Sequence, residues 1–168
     1  MSLHRDLVLQ ALALATDSKG KPRQASLRRA VSAAYYSLFH LLVFEGTARL
    51  LGRKRATLEL RQCLARAFLH AEMHVVAKQF GEGKPSPKLS RAITSVPPDL
   101  ALVAKTFVDL QQMRHEANYD LGRVFSRSEV MRAIFTCVTA HLAFERVKKD
   151  PKTLVFLTAL LVQKAMKA

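Results

Sequence analysis

The sequence has few of the residues that interrupt helices. It contains six glycines and six prolines among 168 residues, and they fall mainly between segments of helical periodicity. No segment shows the alternation of apolar and polar residues that is typical of a half-buried strand. The pattern therefore predicts an all-α protein of about five to six helices, in a single domain covering residues 1–168.

Cysteines and long apolar runs are also scarce. The two cysteines, Cys63 and Cys137, lie on predicted core stripes and indicate no disulfide framework. The longest apolar cluster, Leu154 to Val162, is about half as long as a bilayer-spanning helix. The residues at the start of the chain do not form a signal-peptide pattern. We therefore expect a soluble, cytoplasmic protein with no membrane partner.

Several catalytic motifs are absent. The sequence has no Gly-rich phosphate loop, no serine elbow and no pair of cysteines two residues apart, which argues against ordinary nucleotide hydrolases and hydride-transfer enzymes. His70 and His74 share a helix face, but Glu72 does not follow the first histidine directly as it does in zinc hydrolases. No third metal ligand is evident. We expect neither a metal nor another cofactor.

Acidic residues are outnumbered by basic ones. The chain has 27 Lys and Arg against 13 Asp and Glu, which gives a formal net charge of +14 spread along its whole length. Such a field attracts polyanions, so nucleic acid, a nucleotide, an anionic membrane surface or an acidic protein is a physically reasonable ligand. The same charge could serve solubility alone. Charge by itself does not choose among these roles.

Apolar residues at helical spacing predict six helices. The predicted spans are Leu3 to about Thr16, Ala25–Leu51, Leu58–Phe80, Pro98–Tyr119, a helix that begins at the capping box Ser126–Glu129, and Pro151 to about Lys167. The predicted core includes Leu38, Leu64, Phe68, Phe107 and Ile134. Residues 81–97 are predicted to be a mobile linker. The last helix is apolar nearly all round, so it should be buried either within the bundle or against a second copy.

Arg114 places a cation where an apolar residue is expected. On a helical wheel it falls in the middle of a stripe of apolar residues, namely Val103, Phe107, Leu110 and Ala117. Burying an unpaired charge is costly, so the guanidinium should either pair with a carboxylate inside the bundle or face a groove that a phosphate can enter. Both interpretations stay open.

The second helix has a face opposite its aliphatic stripe. Arg29, Ala33, Tyr36 and His40 follow one another there at spacings of four, three and four residues. This line predicts either a ligand surface or a second packing seam in which Tyr36 and His40 hydrogen-bond to neighbouring helices.

Two stretches resemble the HEPN family of small helical bundles. The string LRRAVSAAYYSLFHLL, residues 27–42, is similar to the long second helix of that family. The string LQQMRHEANYD, residues 110–120, and the FSRSEV that follows it at residues 125–130 are similar to the region of the family's arginine motif. The resemblance covers about Leu3 to Val147. It implies an antiparallel helical bundle, commonly a homodimer, in which the end of the fourth helix lines a groove near the partner.

In catalytic HEPN proteins, an arginine, a polar residue and a histidine four to six places after the arginine cleave RNA without a metal. Arg114 and His115 match the first two positions, but Tyr119 stands where the histidine is expected, and a phenol is a poor base at neutral pH. The resemblance thus implies a module that binds RNA or a nucleotide through a basic groove, with ribonuclease or toxin-like cleavage left open. Arg114 and Tyr119 would be the catalytic residues.

The residues implied in substrate binding are Arg114, His115, Asn118, Asp120, Tyr36, His40 and Arg29. The alternative is a non-catalytic protein-interaction domain whose partner is a small nucleotidyltransferase or an antitoxin. In that case Arg114 would belong to a structural ion pair.

Overall fold

The computed structural model describes residues 2–17, 20–89 and 91–167. The elements are α1 (Leu3–Thr16), α2 (Gln24–Leu51), a 3-10 turn (Arg55–Thr57), α3 (Leu58–Ala65), α4 (His70–Gly81), α5 (Pro98–Tyr119), α6 (Arg127–Val147) and α7 (Pro151–Lys167). The prediction of an all-α protein is confirmed. Within these residues no helix combines the length and apolarity needed to cross a bilayer.

The starts of α6 and α7 follow local capping signals. The backbone N–H of Glu129 donates to the Ser126 hydroxyl over 3.2 Å, as expected of the predicted capping box. The backbone N–H of Lys152 donates to the Asp150 carboxylate over 2.8 Å at the start of α7. Short-range hydrogen bonds therefore set the starts of α6 and α7.

The predicted helix over residues 58–80 is wrong because the chain breaks it into α3 and α4. The backbone N–H groups of residues 66–68 bond to carbonyls three positions back, so the helix tightens into 3-10 turns and α3 ends at Ala65. Phe68 is buried against Gly46, where a Cβ would lie 2.9 Å from the phenyl ring. Phe68 fills the space that the missing side chain leaves. The described residues therefore hold seven α-helices rather than six.

This break changes the predicted core. Four of the five predicted core residues are buried, namely Leu38, Phe68, Phe107 and Ile134. Leu64 is only half-buried and Cys63 is exposed, so both predictions are wrong. Both residues lie on α3, which buries none of its side chains. Cys137 is buried as predicted, and burial raises the pKa of its thiol to about 12.

The chain forms two compact units. The first consists of Met1–His40 with Thr106–Leu142, and the second of Leu41–Lys105 with Ala143–Ala168. Helices α2, α5 and α6 contribute residues to both units. The single domain over residues 1–168 stays a prediction. All candidate site residues belong to the first unit.

In the first unit, α2 and α5 run antiparallel. Arg28 near the start of α2 bonds to carbonyls at the end of α5, whereas Tyr35 further along α2 packs on the earlier Phe107 with ring centroids 5.5 Å apart. Helix α6 joins them, because the Ser37 hydroxyl lies 3.0 Å from Nε2 of His141. His141 is thus hydrogen-bonded to α2, and the antiparallel pair brings the start of α2 to the end of α5.

In the second unit, α7 packs against α4. The rings of Phe80 and Phe156 lie 4.8 Å apart between centroids. Four apolar residues of α7 are buried, namely Phe156, Leu157, Ala159 and Leu160, while Leu154 remains 38% exposed. Packing within the unit therefore accounts for most of the apolar surface of this helix without a second copy.

The predicted linker follows α4 in the second unit. Gly81 ends that helix, and a Cβ there would lie 3.1 Å from the backbone nitrogen of Lys105, so the two backbones approach closely. The described residues after Gly81 form turns, and Ile93 among them is buried. Ser90 lies outside the described residues. The mobility of the linker stays a prediction.

Candidate functional site

Arg114 lies on α5 against two tyrosines of α2. Its Nη2 donates a hydrogen bond to the Tyr36 hydroxyl over 3.0 Å. The guanidinium carbon is 5.5 Å from the centroid of the Tyr36 ring and 5.7 Å from that of Tyr35. These distances fall within the range of cation–π attraction. The two rings hold the guanidinium in place without neutralising its charge.

No described carboxylate pairs with Arg114. None of the ion pairs formed within 4.0 Å by the described residues includes its guanidinium. Its Nε is shielded from solvent and has no hydrogen-bond acceptor among those residues. A partly buried charge with an unsatisfied donor raises the free energy of the folded state. The structural ion pair that the sequence left open is therefore not formed by the described residues.

His40 follows Tyr36 by one turn of α2. The two rings are stacked, with centroids 6.2 Å apart and planes 30° apart. Burial lowers the pKa of His40 from its ordinary value of 6.5, so the imidazole is neutral at pH 7 and keeps an acceptor nitrogen. We call the set Arg114, Tyr35, Tyr36 and His40 the arginine site.

Arg29 and Ala33 do not belong to this set. Arg29 is exposed, whereas Ala33 is buried. The residues of α2 that bond to the last turns of α5 are instead Arg28, Ser32 and Tyr36, at a constant spacing of four. Sequence reasoning misses Arg28 and Ser32, although this i, i+4 repeat is visible in the sequence and places all three on one helix face.

Arg28 holds the C-terminal end of α5. Its Nη1 donates to the carbonyl of Ala117 over 2.8 Å, and its Nη2 donates to the carbonyls of Asp120, over 2.9 Å, and Arg123. The last carbonyls of a helix lack partners within the helix, and a cation is stabilised by the negative end of the helix dipole. The single guanidinium therefore fixes both the end of α5 and the loop that follows.

A groove of about 560 Å³ lies beside this end of α5. It is lined by Gln112, His115, Glu116, Tyr119, Asp120 and Arg123, and we call it the His115 groove. The rings of His115 and Tyr119 have centroids 5.0 Å apart, and Tyr119 is 65% exposed. The groove thus offers an aromatic surface to solvent.

Hydrogen bonds order the charged side chains of the His115 groove. Gln112 Nε2 and Arg123 Nε each donate to a different oxygen of Glu116 over 3.0 Å, and these bonds lower the pKa of that carboxyl. Asp120 Oδ1 accepts the backbone N–H of Gly122 over 2.9 Å. Its Oδ2 has no hydrogen-bond partner among the described residues. Both carboxylate oxygens of Glu116 therefore accept a hydrogen bond from a described residue, whereas only one oxygen of Asp120 does.

The predicted site residues fall into two clusters. The structure brings together Arg114, Tyr36 and His40. A second cluster, His115, Tyr119 and Asp120, lines the His115 groove. Asn118 accepts a hydrogen bond from the Ser32 hydroxyl over 3.2 Å. In the described part of the chain, no group of three or more His, Cys, Asp or Glu side chains is placed to hold a metal ion.

Known proteins provide no match to this chain. Comparisons with protein-family models, curated proteins and solved structures found none. The resemblance to the HEPN family, and the ligand and partners that it implies, therefore remain predictions from the sequence.

Proposed function

We propose that the first unit binds a phosphate group of RNA or of a nucleotide at Arg114. The supporting observation is a guanidinium that rests on two tyrosine rings and has no carboxylate partner among the described residues. A guanidinium presents a planar fork of N–H donors that matches the oxygens of a phosphate, and Tyr36 occupies only one of these donors. An anion at this position would neutralise the charge.

Tyr119 takes a binding role in this proposal. A phenol exchanges its proton poorly at neutral pH, whereas an exposed aromatic ring suits stacking on a base. We therefore expect weak or absent ribonuclease activity in the wild type. Tyr119→His should raise cleavage of labelled RNA, because an imidazole titrates near neutrality. Vigorous wild-type cleavage that survives the loss of both Arg114 and Tyr119 would place the catalytic site elsewhere.

Arg114→Lys tests the phosphate site because it keeps the charge and removes the planar fork. The dissociation constant for single-stranded RNA, measured by fluorescence anisotropy at near-physiological salt, should rise about tenfold, which corresponds to about 1.4 kcal/mol. The melting temperature should fall by less than about 4 °C, since no ion pair of the described residues is broken.

Arg132→Lys is the matched control, because Arg132 is an exposed arginine of the same unit. Its RNA affinity should stay within about twofold of the wild type, a change below about 0.5 kcal/mol. Equal effects of the two substitutions would mean that the affinity comes from charge alone. A large loss of thermal stability in Arg114→Lys without a loss of affinity would assign Arg114 a structural role.

A second candidate function, a protein-interaction domain, is favoured by α3 in the second unit. This helix buries none of its residues, and Leu58 and Leu60 are 43% and 60% exposed. Leucine side chains that the unit leaves exposed on such a helix are available for a protein contact. We propose as partner a second copy in a homodimer, and alternatively the nucleotidyltransferase or antitoxin that the family resemblance implies.

Sedimentation velocity tests the homodimer. The wild type should associate at high micromolar concentration, and Leu60→Gln should weaken the dimer, because an interface core tolerates an uncompensated polar group poorly. Leu9→Gln, at an exposed leucine of α1, is the control and should leave the association unchanged. A strictly monomeric wild type would contradict the homodimer.

A further inference from the structure

The His115 groove combines an aromatic wall with an open carboxylate. Its volume of about 560 Å³ lies in the range of roughly 300–1,000 Å³ that is usual for small-ligand sites. Tyr119 and His115 form the wall, and Asp120 keeps Oδ2 free of partners among the described residues. The exposed ring of Tyr119 can stack on a flat ligand, and the Asp120 carboxylate lines the same groove.

The position of Asp120 is fixed by the surrounding contacts. Arg28 binds its carbonyl oxygen, and Gly122 donates to its Oδ1. Gln24 and Phe125 exchange two hydrogen bonds of 2.8 and 2.9 Å, which tie the end of the loop to α2. A carboxylate held in this way can discriminate between ligands, because little side-chain or loop ordering is needed when the ligand binds.

A carboxylate only accepts hydrogen bonds, so it selects adjacent donor groups on a ligand. Among the RNA bases, guanine alone presents two adjacent donors on its pairing edge, N1–H and the N2 amino group. Adenine and cytosine place an acceptor beside their amino group, and uracil flanks one N–H with two carbonyls. A carboxylate would repel those acceptors.

We propose that the His115 groove is a guanine subsite, in which the base stacks on Tyr119 beside His115 and donates its N1–H and N2–H to Asp120. This inference rests on the proposed function, because the phosphate at Arg114 anchors the strand whose base enters the groove. Arg114 and His115 are consecutive on α5, with side chains about 100° apart around the helix axis. One nucleotide segment can therefore reach both positions.

The test measures affinities for oligouridylates of about ten nucleotides that carry a single central guanine, adenine, cytosine or uracil. The wild type should bind the guanine probe about tenfold more tightly than the other three, since a good bidentate pair discriminates by about tenfold or more. Asp120→Asn should reduce this preference to less than about threefold, because the amide replaces one acceptor oxygen by a donor. The remaining amide oxygen can still accept the Gly122 N–H, and an unchanged melting temperature will verify the fold.

Asp109→Asn is the matched control, because it removes the same charge from an exposed position on α5 outside the groove. It should change the affinity for all four probes equally and keep the guanine preference. Tyr119→Ala should weaken all four probes by about fivefold or more through lost stacking. Arg114→Lys should weaken all four and keep their ratio.

The outcomes separate the subsite from the phosphate site. If RNA binding depends on Arg114 but the wild type prefers no base, or prefers a base other than guanine, the guanine subsite is wrong and the phosphate site stands. If the guanine preference persists in Asp120→Asn, the subsite is also wrong. If Arg114→Lys and Arg132→Lys bind every probe as tightly as the wild type, the phosphate site fails and the inference fails with it.

Discussion

His40 differs from an exposed histidine because burial penalises its charged form. Its folded-state pKa lies below 6.5. Between the folded-state pKa and pH 6.5, the unfolded chain therefore binds more protons than the folded one. The contribution of His40 to the unfolding free energy is therefore fully present above pH 6.5. It is lost progressively as the pH falls from 6.5 to the folded-state pKa.

The first prediction is that chemical denaturation of the wild type becomes easier as the pH falls below 6.5. In His40→Gln this part of the pH dependence should be smaller, since glutamine does not titrate. The carboxyls of Asp99 and Glu116 have lowered pKa values. Their stabilising contribution is lost only as the pH falls below their ordinary pKa values of 3.8 and 4.5, which is a separate pH window. Identical slopes of wild type and His40→Gln between pH 6.5 and 5 would contradict the prediction.

Arg114, a residue on the apolar stripe, is neither a core residue nor half of an ion pair among the residues that the structure describes. Helical spacing predicted correctly that a cation faces inward, but spacing does not show what stands opposite it. Tyr35 and Tyr36, which contact it, belong to α2, and Tyr36 precedes Arg114 by 78 residues along the chain. That contact depends on how α2 and α5 pack.

Among the helices, α5 depends on a side chain of another element for its C-terminal end. The second prediction concerns Arg28→Ala, which removes donors to three carbonyls and should lower the unfolding free energy by about 2 kcal/mol, since hydrogen bonds of charged groups contribute about 1.5–3 kcal/mol. The melting temperature should fall by about 4–8 °C. Calorimetry measures both.

The neighbouring Arg29 supplies the control for this prediction. It is exposed, and Arg29→Ala should change the unfolding free energy by no more than about 0.5 kcal/mol. Equal destabilisation by the two alanine substitutions would show that the bonds of Arg28 do not stabilise the end of α5.

Helices differ in how well the sequence predicted them. The predicted bounds of α2 and α5 agree with the structure within one residue, because apolar periodicity and prolines act over a few neighbouring positions. The break between α3 and α4 was missed because it has no glycine or proline. It depends on Phe68 packing against Gly46, a partner that lies 22 residues away along the chain.

Across the whole chain, the net charge of +14 gives any RNA ligand a salt-dependent attraction. The third prediction separates this attraction from the arginine site. Arg114→Gln should reduce the slope of log K against log salt by about 0.7, the loss of one phosphate contact with a single strand. Arg114→Lys should lower the affinity at every salt concentration and leave the slope unchanged.

Titrations at several potassium chloride concentrations measure both quantities. Arg132→Gln is the control, because it removes one charge from an exposed position on α6 of the same unit. A slope that changes equally in Arg132→Gln and Arg114→Gln would mean that Arg114 contributes only to the general field of the protein.

Helix type, the starts of α6 and α7 and the basic character of the chain follow from the sequence, because caps, periodicity and charge act locally or add up along the chain. The sequence also pointed to Arg114, Tyr36 and His40, but as members of separate motifs. Tertiary packing decided that these three residues meet and that Arg28 holds the end of α5. These contacts join residues that are distant along the chain, whereas the residues that line the His115 groove all lie within residues 112–123, so their proximity is local.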